Sequence, residues 1–168
     1  MSVLQSFSLE GKVALVTGGA GLYGRQIALA LTRAGAATTM TTRSPDRLSE
    51  LEDSFWREGV RVTARVLDQE REESVLELRD QLVAERGRID ILVNNAVSRT
   101  MGSWDDPLEA FDRSMRINAT GLFAVTRAFG DVMAVAGSGS IINIGSIQGM
   151  VGPDEQLYKG MGFHGCHY

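Results

Sequence analysis

Three glycines in the stretch VTGGAGLYGR, Gly18, Gly21 and Gly24, stand where an apolar run gives way to a helical one, a spacing that can hold an anion. Glycine lets the backbone turn tightly and lets a charged group approach the main chain, while the amino terminus of the next helix offers unpaired N–H groups and a partial positive charge. The ligand such a turn suits is a pyrophosphate, and the plainer alternative is a strand-to-helix turn that uses glycine for geometry alone. Other polar groups stand at similar junctions: Asn94 and Asn95 end an apolar run, Ser146 follows another, and Asn118 interrupts a long helical pattern. Each has an ordinary use as a turn former or local hydrogen-bonder. The tail LYKGMGFHGCHY adds Tyr158 and Tyr168. A phenol works as an acid or base near neutrality only if its pKa falls by roughly three units, about 4 kcal/mol, which a fixed neighbouring cation supplies. His164, Cys166 and His167 lie close together, but a fourth ligand and a structural spacing are missing, so no metal is expected.

The elements that must position these groups follow from hydrophobic periodicity. KVALVTGG, AATTMTT, VRVTARVLD, RIDILVNNA and GSIINIGS predict five strands. YGRQIALALTRAGA, PDRLSELEDSFWREG and REESVLELRDQLVAERG predict the helices between them, and one long helix is expected over residues 107–137. Alternation of this kind makes an α/β fold, a doubly wound parallel sheet with helices on both faces. A chain of 168 residues, 43% hydrophobic, can bury a core as a single domain over residues 1–168. A net charge of −4 provides no basic field for nucleic acid or an anionic membrane. No basic leader precedes an apolar run and no segment approaches about 18 consecutive apolar residues, so a cytoplasmic, non-membrane protein is expected. Cys166, the single cysteine, has no internal partner for a disulfide.

Over residues 9–150 the sequence resembles the short-chain dehydrogenase/reductase family. Thr17, Gly18 and Gly24 fit its early glycine signature, with Leu22 at the usual middle glycine and Gly21 one position earlier. Asn94, Asn95 and Ala96 match its Asn-Asn-Ala element, with Val97 in place of the glycine that follows. The resemblance implies a Rossmann-like sheet of about five strands and a coenzyme site at Gly18, Gly21, Tyr23, Gly24, Arg43, Asp68, Asn95 and Ala96. In it Asn94 steadies the sheet and Asp68 resembles the acid that bonds the adenine ring, though a helix cap is an alternative use of Asp68. NAD-binding relatives place an acid at the end of the second strand, where this sequence has Thr42 and Arg43. A 2′-phosphate would meet a hydroxyl and a guanidinium there, which favours NADP(H), with NAD the alternative.

Catalysis in the family resembles a relay of Asn, Ser, Tyr and Lys, which implies Asn118, Ser146 and Tyr158 as catalytic residues acting on a small carbonyl or alcohol substrate. The lysine expected four residues beyond Tyr158 is replaced by Gly162, with Lys159 adjacent instead. The family continues with a further helix, two strands and a substrate-covering loop, so a carboxy-terminally truncated member is expected, with SIINIG left as an open sheet edge. A truncated nucleotide-binding module without turnover is the alternative to an oxidoreductase. Relatives associate through the long helix that holds Asn118, which makes a homo-oligomer a further expectation.

Overall fold

The computed structural model describes residues 3–103, 105–152, 154, 156 and 160. Five strands, β1 (Val13–Val16), β2 (Ala37–Thr42), β3 (Thr63–Val66), β4 (Ile91–Asn94) and β5 (Ser140–Asn143), form one parallel sheet in the order β3-β2-β1-β4-β5. The order reverses between β1 and β4, and a sheet of this kind opens a crevice beyond the carboxyl ends of the strands at that point.

Alternate side chains of each strand feed two separate cores. Ala14, Val16, Ile91 and Val93 face α1 (Leu22–Arg33) and α2 (Leu48–Trp56), where they meet Ala28, Leu29, Leu51 and Phe55. Val13, Leu15 and Leu92 face α3 (Glu72–Arg86) and a long helix, meeting Val75, Leu78, Leu82, Val125 and Phe129. Strands covered on both faces read as continuous apolar runs, which is why VALV and ILVN lack a polar alternation.

Two elements differ from the periodicity. The third strand begins at Thr63 rather than Val60, because the Val60 N–H is spent on the Phe55 carbonyl at 3.2 Å, closing α2. The long helix is not uniform: α4 (Leu108–Met115) and α5 (Leu122–Ala136) are joined by a π-helical turn over Arg116–Gly121. Asn118 sits in that turn. Although it holds no run of consecutive apolar residues of that length, the helical span Leu108–Ala136 is long and apolar enough to cross a membrane by length and composition. Val125, Ala128, Phe129 and Met133 on one side of it belong to the core under the sheet.

At the amino-terminal edge of the sheet, Asp90 fastens β1 to β4. Its buried carboxylate accepts the Val13 N–H at 2.9 Å and the Arg88 guanidinium, with Lys12 Nζ at 3.5 Å. Burial opposes its charged form, but the Arg88 and Val13 hydrogen bonds and the charges of Arg88 and Lys12 outweigh burial and hold the carboxyl below the ordinary carboxylate range.

Candidate functional site

Thr17, directly after β1, is 1% exposed, and its Oγ1 accepts the N–H groups of Asn95 at 3.1 Å and Ala96 at 3.0 Å. Asn95 answers with its side chain: Nδ2 donates to the Thr17 carbonyl at 3.0 Å and to the Gly18 carbonyl at 3.1 Å. The turns after β1 and β4 are thereby locked together. Gly18 turns the chain at φ +65°, and a Cβ there would lie 2.8 Å from Ala96 Cα. A side chain is excluded by both the backbone angle and the contact. Gly24, in the first turn of α1, backs onto the same turn, where a Cβ would strike the Gly18 carbonyl and lie 2.6 Å from Asn95 Nδ2.

Gly21 has a different task. It is the residue that caps α1, no side chain among the described residues bonds the first N–H groups of that helix, and the nearest atom to a Cβ at Gly21 would be the Gly18 oxygen at 3.5 Å. Uncapped helix N–H groups beside a glycine turn suit a diphosphate. Leu22 and Tyr23 face outward at 91% and 76% exposure, so Tyr23 stands at the rim. Gly19 was not singled out by the sequence, yet a Cβ there would overlap the Met40 side chain of β2. Its signal was its place in the glycine cluster; its partner, on another strand, was not visible.

The end of β2 is bonded to this turn. Gly18 N–H donates to Thr41 Oγ1 at 3.3 Å and Gly19 N–H to the Thr41 carbonyl at 3.0 Å. Thr42 Oγ1 accepts the Ser44 N–H at 3.2 Å, and Arg43 is exposed with no hydrogen bond or ion pair among the described residues. A guanidinium without an internal carboxylate partner is free to meet an anion. Asp68 Oδ1 accepts the Glu70 N–H at 3.1 Å, an Asx turn, while the N-cap position of α3 belongs to Arg71. Asp68 therefore shapes the loop after β3 rather than capping the helix.

Asn94 is buried and donates through Nδ2 to Thr126 Oγ1 at 2.9 Å and Asn143 Oδ1 at 2.8 Å, joining β4 to α5 and β5. Asn118 reaches the loop after β4: its Oδ1 accepts the Ser98 N–H at 2.8 Å, and its Nδ2 donates to the Ser98 carbonyl at 2.8 Å and to Ser114 Oγ at 3.2 Å. Both amide hydrogens of Asn118 are thus spent within the protein. Ser146 is exposed beyond the carboxyl end of β5, and its Oγ accepts the Gln148 N–H at 3.2 Å. Tyr158 lies outside the described residues, as do Lys159, Gly162 and Tyr168. No group of three or more metal-ligating side chains occurs among the described residues, and His164, Cys166 and His167 are not among them.

The glycine turn, the Asn95–Ala96 turn, Asp68 and Ser146 all follow the carboxyl ends of strands in one parallel sheet, the arrangement of a dinucleotide-binding fold. The family profile described as short chain dehydrogenase matches residues 12–158. This chain belongs to that family. It is 38% identical over 143 residues to 2-dehydro-3-deoxy-D-gluconate 5-dehydrogenase of Bacillus subtilis, covering 84% of this chain and 56% of the relative. Among solved structures, NAD+-bound xylitol dehydrogenase superposes with a TM-score of 0.80 at 34% identity, over 91% of this chain and 60% of that one. A metagenomic short-chain oxidoreductase in complex with NADP gives 0.75 at 30% identity, over 82% and 63%. The chain thus spans less than two thirds of the length of these relatives. One solved neighbour holds NAD+ and the other NADP, so likeness alone selects neither coenzyme.

Proposed function

We propose that this protein is an NAD(P)-dependent oxidoreductase, with NADP(H) preferred, that moves hydride between the nicotinamide and a secondary alcohol or ketone. The observation that carries the proposal is the glycine turn: Gly18 and Gly24 are packed too closely for side chains, and Gly21 opens the uncapped start of α1 to a diphosphate. The coenzyme, when bound, supplies or accepts the hydride. Gly21 and the first turn of α1 hold its diphosphate, with Tyr23 at the rim. Arg43 meets the 2′-phosphate, Asp68 the adenine, and Asn95 and Ala96 form the wall along which it lies. Ser146 Oγ holds the substrate oxygen, Tyr158 carries its proton, and Asn118 fixes the Ser98 segment after β4.

Two further proposals accompany this reading. Leu108, Phe111, Met115 and Phe123 leave an exposed apolar row along the long helix, which suits association with a second copy. A cytoplasmic location agrees with one cysteine and a net charge of −4.

A nucleotide-binding module without turnover is the second reading, and Gly162 in place of the relay lysine is what favours it. Calorimetric titration with NADPH and NADH, followed by turnover on a panel of ketones, tests both. NADPH binding that weakens about tenfold in Arg43→Ala, roughly one charge-assisted hydrogen bond, with NADH binding unchanged, is the expected result. Binding without reduction of any ketone would select the second reading, and no binding of either coenzyme would end both.

A further inference from the structure

Gln69 is a buried polar side chain that the site as read does not use. It is 8% exposed, and it lies in the loop between β3 and α3 next to Asp68. Its Nε2 donates at 2.9 Å to the carbonyl of Ile117, inside the π-helical turn, and its backbone presses on the same turn. A Cβ at Gly121 would strike the Gln69 carbonyl oxygen and lie 3.1 Å from its carbonyl carbon. Arg116 Nε adds a weaker bond to the Glu70 carbonyl at 3.4 Å. The loop after β3 is therefore seated on the one turn where the long helix departs from α geometry.

A π-turn takes up an extra residue and misaligns the carbonyl ladder, so it persists where outside contacts hold it. Within this turn the next residue after Ile117 is Asn118, whose amide grips both the N–H and the carbonyl of Ser98. We propose that Gln69 is a positioning residue: by holding the Ile117 carbonyl it sets the turn in the register that lets Asn118 clamp the Ser98 segment. The loop that carries Asp68 and the loop that follows Asn95 and Ala96 are coupled through it, so the adenine and nicotinamide ends of the site are built on one shared turn. This inference rests on the dinucleotide reading of the site for its functional meaning.

The test is residue-resolved hydrogen exchange of the Ser98 amide, with the Leu15 and Val93 amides of the core strands as internal references, joined to NADPH titration. Gln69→Met keeps the length of the side chain and removes the donor. Expected are Ser98 exchange faster by about tenfold, the scale of one buried hydrogen bond, unchanged exchange in the strands, and NADPH affinity weaker by about threefold to tenfold. Gln69→His returns an N–H at similar reach and is expected to restore both quantities. Ser98 exchange in Gln69→Met that matches the unaltered chain overturns the proposal, as does Gln69→His behaving like Gln69→Met. If the variants unfold, the unaltered chain decides: an NMR coupling across the hydrogen bond from the Gln69 side-chain nitrogen to the Ile117 carbonyl carbon is expected, and its absence overturns the proposal. The two readings fail separately. An unaltered chain that binds neither NADPH nor NADH defeats the dinucleotide reading while the exchange result stands, and unchanged Ser98 exchange with binding intact defeats the role of Gln69 alone.

Discussion

β1 and β5 are both four-residue strands of one parallel sheet, and both carry aliphatic side chains, yet their surroundings differ at every position. VALV is buried throughout, between β2 and β4 and between two helical layers. SIIN is exposed throughout, with Ile141 and Ile142 keeping 38% and 45% of their surface, because β5 has β4 on one side and no strand on the other among the described residues. The glycine turn follows the first of these strands and Ser146 the second. On the proposed function, gripping a coenzyme would draw on surroundings buried within the described residues, whereas placing a substrate oxygen would draw on an edge that they leave open.

The contrast can be broken most severely at the buried end. Gly18→Val puts a β-branched side chain at φ +65° and against Ala96, and is expected to lower the unfolding free energy by about 3 kcal/mol or more and to abolish coenzyme binding. Urea denaturation and calorimetry check it, and an unchanged midpoint would mean that the cradle is looser than described. A paired truncation sharpens the comparison directly. Leu15→Ala, at a fully buried site, is expected to cost about 3 kcal/mol, and Ile142→Ala on the open strand less than about 1 kcal/mol. Equal costs would erase the distinction between the strands.

An effect smaller than either loss at β1 is expected at the amino-terminal ends of the strands, at Asp90. Its folded pKa is depressed, so its contribution is complete above the unfolded value of about 3.9 and is lost as pH falls through the folded value. The urea midpoint should therefore hold steady down to about pH 4 and decline below it. Asp90→Asn should cost about 1–2 kcal/mol near neutrality and flatten that acid limb.

The five strands, their helices and the glycine turn were legible because each is a local pattern: an apolar run, a helical period, a Gly at a junction. The expected strand at Val60 began later because a backbone bond to Phe55 competes for it. The π-turn was not legible. RINATG interrupts no period strongly enough to mark a change of helix type, and what holds the turn is Gln69, far away in sequence. Likewise Gly19 needs Met40 beside it to reveal why a side chain is forbidden there. Asn118 was picked out by the resemblance, but its partner Ser98 belongs to a loop whose path only the fold defines.

The reciprocal bonds between Thr17 and Asn95 bear on how fast a nucleotide could be taken up. Because these groups satisfy one another within the chain, the segments they join have little motion left to lose, and that freedom has been given up during folding. On the proposed function, association would be governed by diffusion and orientation instead of a slow rearrangement, and tightness would be set by how rapidly the nucleotide departs.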